Sequence, residues 1–382
     1  MPVSHSPSHW TRSQIATLVC DAQHEIPVIT KSDVAPALPG IDLWDLWPVQ
    51  LIDGSTAKFD GWALWHVLSA PALPDPEERH HLARIRLVMQ RGNEYRDCGD
   101  LMPDGHSPGS REWAGSALYD PATNKMTLFF TASGRRGEAQ RTFEQRLFQT
   151  SGQLSFTDGI ARVENWTVPV ESVAADCVHY MRVGGTEGVP GFIKGFRDPA
   201  HFRDPLDGQD YLLFTGSLKQ STNDWNGAIG IIRGDGADHD RWTLLPPLIT
   251  ADGLNNELER PIMIHRDGLY YLFWSTQRKV FAPDGPNGPT GIYGMVASSV
   301  LGPYAPLNGS GLVAACPAAE PFQCYSWWVD NDLNVWGFID LWGLNGQPIK
   351  DDPAFRRAHF GGTPAPVFRL VLDGASAWVQ EK

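Results

Sequence analysis

The chain is poor in the features that announce a disulfide framework, a metal site, a membrane span or a nucleic-acid interface. Its five cysteines, Cys20, Cys98, Cys177, Cys316 and Cys324, are odd in number and form no CxxC pair. That argues against a disulfide scaffold and a zinc ribbon alike. They read as small buried hydrophobes. No apolar run is long enough to cross a bilayer. The N-terminus, MPVSHSPSHWTRSQIATLVC, has no charged segment followed by an apolar one. No cleavable signal peptide is visible, so the cytoplasm is the default expectation, with export by another route left open. Basic residues are scarce: 31 Lys and Arg stand against 44 Asp and Glu, a formal charge of −13. This balance disfavours nucleic acid and anionic membrane as partners and suits a neutral substrate. Glycine-rich phosphate loops and Ser/His/Asp arrangements are missing too. His66, His80, His81 and His265 fall at no trusted ligand spacing and read as structural or surface residues. No metal and no organic cofactor is expected.

What is plentiful is tryptophan, 15 in 382 residues, with 38 glycines and 30 prolines spread along the chain. This composition fits many short strands joined by turns. A hydrophobic content of 42% is normal for a globular protein with a sizeable core.

The stretch Ile41–Gln50, IDLWDLWPVQ, sets an acid, Asp45, between Trp44 and Trp47. A carboxylate among aromatics is costly to desolvate. It is either a surface Asp capping a turn or a reactive acid in an aromatic-walled pocket. From here a unit recurs: a polar residue among aromatics, then a turn, then an aromatic-rich strand. WDLWPVQ leads to a strand near Gly61–Ala70. EWAGSALYDPATNKMTLFFTAS turns at Pro121–Asn124, FRDPAHFRDPLDGQDYLLFTGS at Asp207–Gly208, ERPIMIHRDGLYYLFWST at Asp267–Gly268 and QCYSWWVDNDLNVWGFID at Asn331–Asn334. Such turns between apolar runs are hairpin signals. The period, roughly 60–85 residues, accommodates four strands plus insertions. One such unit cannot bury both faces, whereas units arranged around an axis can. The reading is therefore all-β, a five-bladed propeller with a central funnel, and a β-sandwich is the competing architecture. Residues 1–40 read as a lead-in with one short helix over Thr11–Leu18, and residues 41–382 as one propeller whose last strand is Ala365–Leu372.

Three of the five units open with acids: Asp45, Asp198 and Glu259. A propeller would gather them at the funnel. Two carboxylates suffice for retaining glycoside hydrolysis, one attacking the anomeric carbon and one serving as acid and then base. A third can accept hydrogen bonds from sugar hydroxyls. Asp204, in a second Arg-Asp-Pro just before a hairpin turn, reads as structural.

WDLWP, EWAGS, FRDP, ELERP and QCYS, in that order, resemble the successive motifs of glycoside hydrolase family 68, the levansucrases, inulosucrases and bacterial β-fructofuranosidases. The resemblance runs from about Trp10 to Leu372 and is greatest to the short Gram-negative type. It implies a five-bladed propeller that acts on sucrose or a close fructoside and passes fructosyl to a sugar or to water. Asp45 would be the nucleophile and Asp198 the transition-state stabiliser. Glu259 would be the general acid and base, which must begin the cycle protonated. Trp44 and Trp113 would wall the fructosyl site. Arg197, Glu257, Arg260 and Tyr325 would bind substrate or orient the acids. Taken alone, Trp113 also fits plain core packing, and Glu257 a surface pairing with Arg260.

The chain departs from the family at Ala114, often serine, and at Gln277, where relatives carry a histidine linked to acceptor handling. Cys324, Trp327 and Trp328 replace Thr, His and Tyr. These changes bear on acceptor choice and on the leaving sugar. Short loops, notably between Phe214 and Trp242, favour hydrolysis or short products. Two other readings stand beside this one. The first is an inverting arabinan-type furanosidase on the same propeller, which would need carboxylates about 6.5–9.5 Å apart rather than roughly 5–5.5 Å. The second is a non-catalytic sugar-binding propeller.

Overall fold

The computed structural model describes residues 5–185, 188–236 and 241–381. Apolar runs separated by tight Asp, Asn and Gly turns fold as antiparallel hairpins. At Asp267–Gly268 both residues take left-handed backbone, with φ 52° and 78°. That two-residue geometry matches strand twist, so it joins Glu259–Arg266 to Leu269–Thr276 without splaying them.

The same logic produces five successive antiparallel runs. The first comprises Ile41–Gln50, Trp62–Pro71, Arg84–Arg91 and Glu94–Asp100. The second comprises Arg111–Asp120, Lys125–Ser133, Gln145–Thr157 and Ile160–Glu164. The third is Phe196–Arg203, Asp210–Ser217, Gly227–Gly234 and Trp242–Thr250. The fourth is Glu259–Arg266, Leu269–Thr276 and Gly291–Ala297, with short outer strands after them. The fifth is Cys324–Val329, Asn334–Leu341, Phe368–Asp373 and Ser376–Val379, with Phe360–Pro364 beside its second strand. The first two runs share one sheet, because Val49 and Gln50 pair in parallel with Ala117 and Leu118.

The first strand of each run packs on those of its neighbours. Ile41–Gln50 meets Arg111–Asp120, which meets Phe196–Arg203; that meets Glu259–Arg266, which meets Cys324–Val329, which returns to Ile41–Gln50. The order closes on itself, which two stacked sheets would not do. Aromatic rings fill the seams: Trp65 of the first run and Trp336 of the fifth lie 4.4 Å apart, and Phe129 of the second stacks on His201 of the third at 5.8 Å.

The lead-in runs along the outside as a belt. Ser8 and His9 pair with Ile249 and Thr250 of the third run. Trp10 Nε1 donates to the Ser310 carbonyl at 2.9 Å, and Ile29 N–H to Gln323 Oε1 at 2.8 Å. The seam between fifth and first runs is latched by the helix Pro353–His359, whose Arg357 reaches Asp42 at 2.7 Å and Arg356 reaches Asp75 at 2.6 Å.

Several local expectations need correction. The N-terminal helix spans only Arg12–Ile15. Thr11 and Gln14 form a capping box, but the N–H groups of Thr17 and Leu18 bond three residues back, which tightens and ends the turn. The chain does not finish on the 365–372 segment: that strand is Phe368–Asp373, and a turn at Gly374 (φ 56°) adds Ser376–Val379. Only Cys316 and Cys324 are buried; Cys20 and Cys177 are exposed and Cys98 half-buried, because they fall in the belt, a loop and an outer strand.

His66 is a core residue, fully buried, with neither ring nitrogen hydrogen-bonded among the described residues and its ring edge-on to Trp47. Burial pushes its imidazole down to about 3. The unfolded chain therefore binds the proton first, and stability that is complete above pH 6.5 drains away as the pH falls toward 3. His66→Leu should remove this dependence. Between pH 8 and pH 5 the wild type is expected to lose about 2 kcal/mol more than the variant, read by urea unfolding at both pH values. Parallel losses in the two proteins would show that His66 does not carry it.

Candidate active site

All five inner strands break register at the same step. The shifts fall between Trp44 and Trp47, Trp113 and Gly115, Arg197 and Ala200, Glu259 and Ile262, and Tyr325 and Trp328. A bulge bends the strand and re-aims a side chain that would otherwise stay on the pleat. At four of the five the residue turned is left-handed: Asp45 (φ 47°), Asp198 (62°), Arg260 (49°) and Ser326 (58°). Outside glycine such backbone costs about 1–3 kcal/mol, and it collects where function demands it. In the second run the demand falls on Gly115, where a Cβ would sit 1.9 Å from the Phe129 carbonyl oxygen.

The bulges free backbone N–H groups, and buried hydroxyls of the preceding run receive them. Thr131 Oγ1 accepts from Asp198 N–H at 2.9 Å, Thr215 Oγ1 from Arg260 N–H at 3.1 Å, and Ser275 Oγ from Trp327 N–H at 3.0 Å. Thr215 also donates to Asp198 Oδ2 at 3.1 Å, so one hydroxyl fixes both an acid and the strand behind it.

These devices aim the side chains into one cavity of about 510 Å³, the size of a small-ligand site. Every predicted site residue lines it: Trp44, Asp45, Trp113, Arg197, Asp198, Glu257, Glu259, Arg260, Gln277 and Tyr325. Arg197 is the hub. Its Nη2 donates to Glu257 and, at 2.7 Å, to Glu259 Oε1, while its Nε lies 3.5 Å from Asp198 Oδ2. Burial opposes its charge, but Glu257, Glu259 and Asp198 together hold the guanidinium cationic. Tyr325 OH donates to the other oxygen of Glu259. Arg260 lies behind Asp45, donating to Ser326 O at 2.9 Å, to Ser326 Oγ at 2.7 Å and to Leu46 O at 2.6 Å. It thereby ties the fourth run to the fifth and the first.

The acids do not share one environment. Burial pushes Asp45 up, Arg260 and Ser326 oppose that shift, and Glu259 adds to it. Burial pushes Asp198 up to about 7, with Arg197 opposing and Glu259 and Asp45 adding. Glu257 is raised to about 7 by burial and then by Glu259, against Arg197. Asp198 and Glu257 are 6% and 7% exposed, whereas the side chain of Glu259 keeps 18%. Glu259 stands one place before the bulged residue, where the other runs carry Trp44, Trp113, Arg197 and Tyr325. The three acids therefore occupy two different positions of the repeat.

The alternative readings are resolved by contact. Glu257 pairs with Arg197 and not with Arg260. Trp113 faces the cavity. Asp204 accepts from Tyr270 OH at 2.8 Å and from Leu206 N–H at 2.9 Å, a turn-capping role outside the cavity. His80 was expected to be structural or on the surface, but it lines the cavity, edge-on to Trp44 at 6.0 Å. Of the departures from the family pattern, Gln277 lines the cavity. Ala114, Cys324, Trp327 and Trp328 are buried and do not line it. Sequence reasoning also missed Arg79, Lys279 and Asp340, which line the wall from segments outside the recurring motifs or, for Asp340, from the end of the last one.

Comparison with known proteins identifies the family. The chain matches the levansucrase/invertase family of glycoside hydrolases over residues 2–226 and 218–382. It is 29% identical to levansucrase LscA of Pseudomonas savastanoi pv. glycinea, covering 99% of this chain and 95% of that one. It is 32% identical to the levansucrase of Zymomonas mobilis, covering 98% and 90%. Among solved structures, an inulosucrase from Halalkalicoccus jeotgali bound to kestose superposes with a TM-score of 0.89 at 37% identity, over 98% of this chain and 95% of that one. The chain belongs to the levansucrase/invertase family, glycoside hydrolase family 68, and is an enzyme of the fructosyltransferase and glycoside hydrolase type.

Proposed function

We propose that this enzyme cleaves sucrose, or a close fructoside, with retention of configuration and passes the fructosyl unit to a sugar or to water. Asp45 attacks the anomeric carbon and forms a covalent fructosyl-enzyme. Glu259 protonates the bridging oxygen so that glucose leaves, then takes the proton of the acceptor. Asp198 accepts hydrogen bonds from fructosyl hydroxyls, and Trp44 and Trp113 cover the apolar faces of the ring. Arg197 and Tyr325 hold Glu259 in place.

The observation that carries this reading is the convergence of Asp45, Asp198 and Glu259 on one tryptophan-walled cavity. The two aspartates are turned in by left-handed bulges, while the glutamate keeps its contact with solvent. The closed packing order of the inner strands supports reading the five runs as five propeller blades over residues 41–382, with the belt as their lead-in. The short loops favour water or small sugars as acceptors.

The test is to incubate the protein with sucrose and follow free glucose and free fructose separately. Release of glucose is the expected result. Fructose close behind glucose, with only short transfer products, fits the open rim. Long fructan chains would refute the short-product expectation. An initial fructose product of inverted anomeric configuration would refute the covalent fructosyl-enzyme. No release of either sugar would remove sucrose as the donor.

A further inference from the structure

The cavity contains polar groups that the proposed chemistry leaves unused. Arg79 is 4% exposed and lines the wall near Asp45. Its Nη1 donates to the Pro76 carbonyl at 2.8 Å and to Glu77 Oε1 at 3.2 Å, but its Nε is buried without a partner among the described residues. The guanidinium carbon stands 5.5 Å from the Trp44 ring centre and 4.4 Å from that of Phe360. Asp340 lines the same wall, half-buried. Its carboxylate makes no hydrogen bond or ion pair among the described residues. Arg197, Glu257, Glu259 and Asp198, by contrast, are paired with one another. Buried polar groups left open at a cavity call for an account, and a ligand that satisfies them is the simplest.

The strand register says which part of a ligand they would meet. In the fourth run Glu259 pairs with Ser275, and Gln277 lies two residues further toward the mouth. In the fifth, Tyr325 pairs with Phe338, and Asp340 lies two residues further. Asp340 is thus the fifth-run counterpart of Gln277, one tier outward from the Tyr325–Glu259 contact. That tier is where the sugar beyond the cleaved bond must sit, since Glu259 protonates the oxygen that joins it. Arg79 comes from the connection between the second and third strands of the first run and closes the same wall from the other side of the seam. Its charge acts on Asp340, yet the two do not pair. A donor and an acceptor facing one space, neither satisfying the other, match adjacent hydroxyls of a sugar ring.

We propose that Arg79 and Asp340 bind hydroxyls of the sugar on the leaving side: the glucosyl unit of the donor, and then a sugar acceptor that takes its place. This rests on the fructosyl-transfer reading above. The pair would select sugar over water as acceptor, because water gains nothing from it. It would contribute to binding rather than to bond cleavage.

The experiment is steady-state kinetics of Asp340→Asn on sucrose, with transfer and hydrolysis counted separately. Asparagine keeps the shape and removes the charge. KM is expected to rise about tenfold or more, the loss of one charge-assisted hydrogen bond, with kcat falling by a smaller factor. The transfer share is expected to fall toward hydrolysis at fixed sucrose. Arg79→Lys should move both readouts the same way, and if it fails to fold Asp340→Asn stands alone. Unchanged KM and unchanged partition in Asp340→Asn would overturn the proposal, as would a fall in kcat at constant KM. Should the wild type not cleave sucrose, the functional reading fails first. The pair is then tested by titrating glucose, fructose and sucrose into Asp45→Asn with and without Asp340→Asn. A sugar that binds must lose about tenfold in affinity, and equal affinity or no binding overturns the pair.

Discussion

Asp45→Asn is expected to abolish turnover while leaving the fold as stable as before or more so. In the mechanism proposed above, the carboxylate is the one group whose removal deletes the covalent route. Knocking out a nucleophile in a well-organised site costs roughly 10⁴-fold or more in kcat. Stability should move the other way. Asp45 sits where burial disfavours its charge, and Arg260, Ser326 and, least, Arg79 offset that only in part. Asparagine is isosteric, carries no charge to desolvate and tolerates the left-handed backbone at φ 47° as well as aspartate does. The check is one preparation measured twice, for glucose release from sucrose and for thermal unfolding. Retention of more than a hundredth of the wild-type kcat would remove Asp45 as nucleophile. A melting temperature several degrees lower would mean that the carboxylate holds the fold and that its burial is compensated better than its visible partners suggest.

Much of this site was legible because a repeat makes its own alignment. Five copies of an aromatic-flanked polar residue followed by a turn and an apolar strand pointed to five runs, and in four of them a polar residue does face one cavity; in the second, Glu112 turns away to Arg84 and Trp113 faces the cavity instead. The bulge was not legible. Nothing in Trp-Asp-Leu-Trp announces that two residues will oppose one, since register depends on the partner strand. Without the bulge, Glu259 looks like a third copy of Asp45 and Asp198, when it occupies the neighbouring place. One signal was present and passed over. The second strands end in FFTAS, LFTGS and FWSTQ, and the Thr131, Thr215 and Ser275 they contain are fully buried. A hydroxyl recurring inside an aromatic strand needs a partner. Here the partner is the N–H that the next run's bulge releases. Arg79 and His80 were harder still. They sit on a short 3-10 turn between strands, where no period reports and only tertiary packing decides that the wall of the cavity passes through.

Arg197→Leu is expected to cost both activity and stability, and the loss of stability should depend on pH. Arg197 is buried against three carboxylates, Glu257, Glu259 and Asp198. Removing it leaves them with no ion pair among the described residues, a change that costs about 3–5 kcal/mol when one partner of a buried pair is lost. The sign follows from the protons. Asp198 and Glu257 are already raised to about 7, chiefly by burial, while their unfolded values are near those of free carboxylates. The folded state therefore binds more protons than the unfolded one between about pH 4 and pH 7, and stability falls as the pH rises through that window. Without Arg197 both groups rise further, and the window extends upward. At pH 8 the variant bears either the repulsion or the cost of taking up protons that the wild type has already released, whereas at pH 5 the carboxylates are protonated in both proteins and the difference shrinks. Urea unfolding at the two pH values should then show a larger deficit against wild type at pH 8. A deficit equal at both would mean that Arg197 acts through packing and not through charge. Activity should be lost at either pH, because protonating the acids rescues the fold and disarms the site together. Turnover within tenfold of wild type would show that Glu259 does not need the arginine to stay in place.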